Sequence, residues 1–492
     1  MNGRFLHAGL LQLALFVNSS PAQDPAHNPA PDQGWTRFRG PNGSGISKDT
    51  GFPIEVGKSR NVLWRTPVRP GKSSPVLTAR YVFLTGYDNE KLITQCFDRT
   101  TGRLLWERAE NRVHKQDVNL LNNPAAITPV TDGDNVYVFF KDFGLISYDA
   151  AGRLRWKVPL GPFTNSMGLG ASPIVAGDSI ILVADQIDGS YIAAFDRRNG
   201  EIRWKTPRQE SEGWGTPLLY APPAGLSKEG SAPLILTAGQ GQYGAHRVAD
   251  GKRVFSHPGL SPGMVASPVL DHDTVYAFGY GADHGPSLFS GVLAQLDKNH
   301  DGQLTPDEYQ DIPGDTSDHQ TTAMFAGMGK YMGNGDGIVT KDKWDAWGRH
   351  TGGPTGLLAV RLDGDDGAPR DLWRFDKGFA GVVPSPLLYD GVLYVIKNGG
   401  ILTAFNPATG EVFKTGRVAG ALGGYSASPV AAEGRIFVVS EEGKLAVLQA
   451  GPDWDVLAVS DLGEGAFATP ALSAGRIYLR TDEALYCFAS KP

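Results

Sequence analysis

A short phrase, Ser or Thr followed by Pro and then two mostly apolar residues, sets the strongest constraint on this chain. It occurs at Ser74-Pro75, Thr128-Pro129, Ser172-Pro173, Thr216-Pro217, Ser267-Pro268, Ser385-Pro386, Ser428-Pro429 and Thr469-Pro470. The prolines are spaced by 54, 44, 44, 51, 118, 43 and 41 residues. Most of these intervals match the period of a repeat made of one four-stranded sheet. Thr66-Pro67 fits the phrase locally, but it lies too close to Pro75 to open a unit.

Each phrase opens a unit of one kind. A short alternating strand follows, such as Asn135-Val136-Tyr137-Val138-Phe139 or Arg476-Ile477-Tyr478-Leu479. Next comes a strand ending in an aromatic and an acid, such as Ala194-Phe195-Asp196, then a Gly turn and an outer strand carrying Trp. The spacing is regular at Asp98, Gly102 and Trp106 and at Asp196, Gly200 and Trp204, and one residue shorter at Asp149, Gly152 and Trp156. It decays to Gly251 and Phe255 and to Gly410 and Phe413. Proline donates no ladder hydrogen bond and suits the first residue of a strand, whereas Gly suits the turn. A bulky indole fills the gap between sheets as they diverge from an axis. A lone unit cannot bury both faces, but a ring of them can. The expected fold is therefore all-β, an eight-bladed β-propeller. The last unit stops after three strands, at Leu485-Tyr486-Cys487-Phe488, while Val62-Leu63-Trp64-Arg65-Thr66 lies unused before the first. Closure by that N-terminal strand is expected.

The long interval has room for an insert of about 70 residues beyond the repeat period. Thr274-Val275-Tyr276-Ala277-Phe278 reads as the second strand of blade five, and Leu357-Leu358-Ala359-Val360-Arg361 and Leu372-Trp373-Arg374-Phe375 as its third and fourth. Residues 285–353 thus form a module between strands two and three. Inside it, residues 297–308 satisfy the twelve-residue EF-hand calcium loop. Calcium is a hard cation that takes about seven oxygens. Asp297, Asn299 and Asp301 offer side-chain oxygens, Gln303 its carbonyl and Glu308 two carboxylate oxygens. Thr305 would act directly or through water. Gly302 permits the sharp turn, and Leu304 is placed to pair with a second loop. Phe289, Val292, Leu293 and Leu296 share one face of the entering helix. The second loop, 332–343, keeps Asn334-Gly335-Asp336-Gly337 but has Met332 and Lys343 at its first and last ligand positions. It is expected to pair structurally and to bind calcium poorly, because a lysine adds positive charge beside the cation. Met324, Met328 and Met332 read as core of the loop pair in preference to a target groove.

The 492 residues are 41% hydrophobic and carry a net charge of −6, with no Lys/Arg block. Nucleic acid is not an expected partner. Arg4, the apolar run Leu10–Val17 and small residues ending at Ala22 read as a signal peptide over 1–22, followed by a disordered leader over 23–34. A frayed tail is the plainer alternative. With no apolar run of spanning length, the chain is expected in the periplasm or outside the cell, as a monomer. Cys96 and Cys487 read as small buried hydrophobes, and a disulfide between them stays open.

The Ser/Thr-Pro openings and the Asp-x-x-x-Gly-x-x-x-Trp closings resemble the quinoprotein-like propellers, including BamB-type outer-membrane assembly proteins. Trp35 to Gly43 is similar to a segment that begins many exported proteins with pyrroloquinoline-quinone-like repeats. This resemblance covers roughly 35–284 and 354–492, and it implies a fold far more sharply than an activity. Quinone dehydrogenases of this fold hold PQQ over the axial channel beside a calcium and a catalytic Asp, often with a vicinal Cys pair. No vicinal Cys pair is present, and the family's other site residues find no assigned counterpart in this sequence. The expected function is a non-catalytic, calcium-binding scaffold for an unnamed protein or cell-envelope ligand. PQQ oxidoreductase activity is the alternative. Gly- and aromatic-rich inter-blade loops make their shared face the expected ligand face, with Trp214 and Tyr425 as candidate contacts. Equally, the glycines there could only be easing crowded turns.

Overall fold

The computed structural model describes residues 34–490 apart from 116–121, 166, 223–231, 262, 280–285, 311–324, 327–328, 330–335, 346–354, 363–367 and 378–382. The expected signal peptide and nearly all of the leader lie outside the described residues, as do Met324, Met328 and Met332. The described strands form eight four-stranded antiparallel sheets, the blades of a propeller. Blade 1 is Val76–Leu77, Tyr81–Asp88, Lys91–Asp98 and Leu104–Asn111, from axis to rim. Blade 5 takes Val269–Asp271 and Thr274–Gly279 from before the insert and Gly356–Arg361 and Arg370–Phe375 from after it. Blade 8 is closed as expected: Val62–Pro67 pairs antiparallel with Ala484–Ala489, with Trp64 opposite Cys487. The cysteines are free and buried.

The Ser and Thr of the repeated phrase have a role that their spacing alone did not reveal. The Ser74 N–H donates to Thr128 Oγ1 at 3.0 Å, and Thr128 N–H to Ser172 Oγ at 3.2 Å. Ser172 donates to Thr216 at 3.0 Å, Thr216 to Ser267 at 2.8 Å and Ser267 to Ser385 at 3.0 Å. Ser385 donates to Ser428, Ser428 to Thr469, and Thr469 back to Ser74 Oγ, each at 3.0 Å. Eight backbone N–H groups at the crowded axis thus find their acceptors on the next blade. A buried N–H without a partner would be costly, and the proline that follows gives the hydroxyl residue a fixed, extended start.

The outer strands interlock at the rim. The Trp106, Trp156, Trp204 and Trp373 indoles donate to carbonyls of the following blade, at Ala150, Arg197, Val248 and Pro407. Each ring lies over a turn glycine of that blade. A Cβ on Gly251, whose φ is +71°, would sit 2.2 Å from Trp204. A β-bulge just before the tryptophan position recurs in the pairing of third and fourth strands, as between Ala194 and Phe195. Such a bulge adds twist and turns the indole toward its neighbour.

Residues 35–47 run across the inner strands at the axis. Leu77 N–H donates to Trp35 O at 2.8 Å, and Thr131 N–H to Thr36 O at 2.9 Å. Asn42 exchanges two hydrogen bonds with the Leu219 backbone, at 2.8 and 2.9 Å. Arg37 donates to Pro217 O, and Arg39 to Pro386 O at 2.7 Å. Gly45 O accepts from Ala431 N–H at 2.8 Å, and Ser47 N–H donates to Ala431 O at 2.9 Å. One segment therefore ties the inner strands of blades 1, 2, 4, 6 and 7. Trp35 is 2% exposed and Arg39 0%.

Candidate functional site

Antiparallel order puts the loop joining second and third strands on the same face as the inter-blade loops. The insert leaves blade 5 from Gly279 and returns at Gly356, so it departs from this face. Contact is close at that point, where a Cβ on Gly279 would meet Met264 and Ser261 of the preceding inter-blade loop.

Charged groups near this face are largely committed to one another. Arg208 holds Asp185 by two hydrogen bonds, at 2.6 and 3.0 Å, and Thr237 at 2.7 Å. Arg253 donates to Glu210 at 2.6 Å. Burial pushes the Asp185 carboxyl up despite the attraction of Arg208. Burial, together with Arg208, brings the neighbouring His246 down to about 4. Asp142 accepts from Arg112 at 2.7 Å and Lys141 at 2.8 Å. Glu464 binds Arg65 at 3.0 Å, Tyr486 at 2.7 Å and Thr481 at 2.6 Å.

The two aromatic candidates separate. Trp214 is half-buried on its inter-blade loop, and its indole donates to Gly168 O at 2.8 Å. Tyr425 is only 1% exposed, in the core between blades 6 and 7, and its hydroxyl donates to Ala421 O at 2.7 Å. It supports its loop from beneath, and this corrects its expected place among open contacts. Other residues of this face had no sequence signal. The Lys72 ammonium lies 4.0 Å from the Phe467 ring centroid, and burial lowers its pKa against the pull of Glu441 and Asp482. Gly424 N–H donates to Glu442 at 3.1 Å, and Ser426 donates to Glu441. On the opposite face, Ser44, Ile46, Val269, Asp271, Leu388 and Asp390 line a cavity of about 260 Å³ beside the axial segment.

The insert opens with the helix Pro286–Leu296. Phe289 is buried with Leu304, Tyr309, Phe325, Val339 and Trp344, and Val292, Leu293 and Leu296 pack against them, as their spacing implied. Leu304 and Val339 exchange two backbone hydrogen bonds, at 2.9 and 2.8 Å. Gly302 has φ +79°, and His300 beside it φ +60°. Asp297 accepts from Asp301 and Gly302 N–H at 3.2 and 2.9 Å, and Asn299 Oδ1 and Asp301 Oδ1 from Asp301 and Gln303 N–H at 2.9 Å each. Glu308 reaches back to Lys298 N–H and Thr305 N–H, both at 2.9 Å, and these N–H groups hold it below the usual carboxylate range. The donor set of acid, amide and hydroxyl oxygens suits a hard cation. Among the described residues no three His, Cys, Asp or Glu side chains converge on one point.

Comparison with known proteins agrees with this architecture. The family model described as Outer membrane protein assembly factor BamB matches residues 56–277 and 354–491, and omits the whole of the insert. The crystal structure of BamB from Moraxella catarrhalis is similar at a TM-score of 0.52 and 14% identity, covering 87% of this chain and 100% of that one. Sqt1 from Saccharomyces cerevisiae superposes at 0.54 and 9% identity, covering 88% and 99%. The computationally designed protein Ika8 gives 0.52 and 10%, covering 89% and 100%. At these identities the likeness is one of fold alone. No curated protein sequence matches. No helix among the described residues is long and apolar enough to cross a membrane.

Proposed function

The chain belongs to the family of outer membrane protein assembly factor BamB, and from that premise we propose that it is an exported, non-catalytic binding or scaffolding propeller of the cell envelope. The observation that carries this reading is the axis. In a quinone dehydrogenase of this fold the axial channel carries a cofactor, whereas here residues 35–47 lie across the inner strands and bond to five of the eight blades. The charged pairs of the loop face, Asp185 with Arg208 and Glu464 with Arg65, are held in mutual hydrogen bonds that stiffen the loops. A stiff face with one half-exposed indole, Trp214, suits recognition of a partner. The family name points to envelope proteins as the class of that partner. The insert adds a calcium-binding EF-hand loop at 297–308, with Asp297, Asn299, Asp301, Gln303 and Glu308 as ligands, overhanging the same face. Reconstitution of the purified chain with PQQ, calcium and a dye acceptor tests the reading. The expected result is no stoichiometric quinone binding and no dye reduction; quinone-dependent turnover would establish the oxidoreductase alternative instead.

A further inference from the structure

The last ligand position of the insert's second loop holds Lys343, and its ammonium has a defined place. Nζ donates to the Asp336 carboxylate and to the Ile338 carbonyl, the latter at 2.8 Å. The Lys343 side chain is only 11% exposed. In a calcium loop read from Met332, Asp336 stands at the fifth position and the Ile338 carbonyl at the seventh. Both are ligand positions in a working loop. Asp336 Oδ1 also accepts from Ile338 N–H at 2.8 Å, so the carboxylate closes the turn while it faces the ammonium.

The described part of the loop, from Asp336 on, is paired with the first loop around this group. Val339 bonds to Leu304 of the first loop in both directions. The Tyr309 hydroxyl donates to Gly337 O at 2.7 Å. The next residue, Trp344, is 4% exposed, with its ring centroid 5.2 Å from that of Phe289. A carboxylate and a carbonyl turned toward one point repel each other unless a cation lies between them. Here the chain supplies that cation covalently.

We infer that the second loop is a cation site filled by the protein's own lysine. Lys343 holds Asp336 and Ile338 in the arrangement that a metal would otherwise impose. Its loop then stays paired with the first at any calcium concentration, and the module takes at most one ion. This inference rests on the module being an EF-hand pair, but it does not require the first loop to bind calcium.

The test uses the full chain and two readouts. In chelator, proteolytic nicking within 285–353 is compared for wild type, Lys343→Arg and Lys343→Met. Loss of a charge-assisted pair should open the module about tenfold more often in Lys343→Met, with Lys343→Arg close to wild type. Equal nicking in Lys343→Met and wild type would overturn the inference. In the second readout, terbium luminescence sensitised by Trp344 is titrated in Glu308→Gln and in Glu308→Gln with Lys343→Glu. The single variant should lose its bound ion and the double variant should gain one at the second loop. An ion bound at the second loop while Lys343 is intact would also overturn it. If the first loop is no calcium site, wild type and Glu308→Gln titrate alike, and the nicking result stands apart from that.

Discussion

The Ser267 hydroxyl accepts the Thr216 N–H at 2.8 Å while the Ser267 N–H donates to Ser385 at 3.0 Å, so one residue joins three blades. Ser267→Ala keeps the backbone and removes the acceptor, leaving a buried N–H unmatched. That should cost about 1–3 kcal/mol in denaturant unfolding, while Ser267→Thr stays near wild type. His246 sets a pH dependence. It is 0% exposed, Arg208 lies 3.5 Å from Nε2, and its folded pKa is about 4 against an ordinary 6.5. Between these values the unfolded chain takes up a proton that the folded one refuses. Stability is therefore full above pH 6.5, declines as pH falls toward 4 and is flat in this component below that. The loss is on the order of 3 kcal/mol. Unfolding measured across this range should show that slope in wild type and a shallower one in His246→Asn; equal slopes would rule out His246 as its source.

At the scale of elements, the joint between indole and turn glycine decides how one blade meets the next. Gly251 and Gly177 both have positive φ, +71° and +57°, but only Gly251 lies under an indole; a Cβ at Gly177 would meet nothing within 4 Å. Gly177→Ala should cost about 1 kcal/mol from backbone strain alone. Gly251→Ala should cost about 3 kcal/mol because Trp204 must also move. Similar losses for the two would mean that the indole contact adds little. Strand order, the Trp and Gly positions and the split of blade 5 were readable from the sequence, because each depends on a residue type at a fixed spacing. The hydroxyl ring was not, since its bonds run between blades. Nor was the burial of Tyr425. An aromatic in a Gly-rich loop looks the same in sequence whether it rises from the loop or lies beneath it.

For the whole molecule, the N-terminal residues hold together a ring that the repeats build only in part. Val62–Pro67 supplies the missing strand of blade 8, and 35–47 bond the inner strands from within. The strand was legible because a unit lacked one. The axial segment was not, because Trp35 to Gly43 carries no periodicity and its partners lie up to 347 residues away in the chain. Its place along the inner strands is also the observation on which the proposed function depends. Thermal unfolding of chains beginning at residues 35, 48 and 73 tests this most directly. The account predicts one cooperative transition for the first and a lower midpoint for the second, which keeps the closing strand but not the axial segment. The third should lose cooperative melting, since blade 8 then has a free edge. A chain from residue 73 that melts at the same midpoint and as sharply as the chain from residue 35 would contradict it.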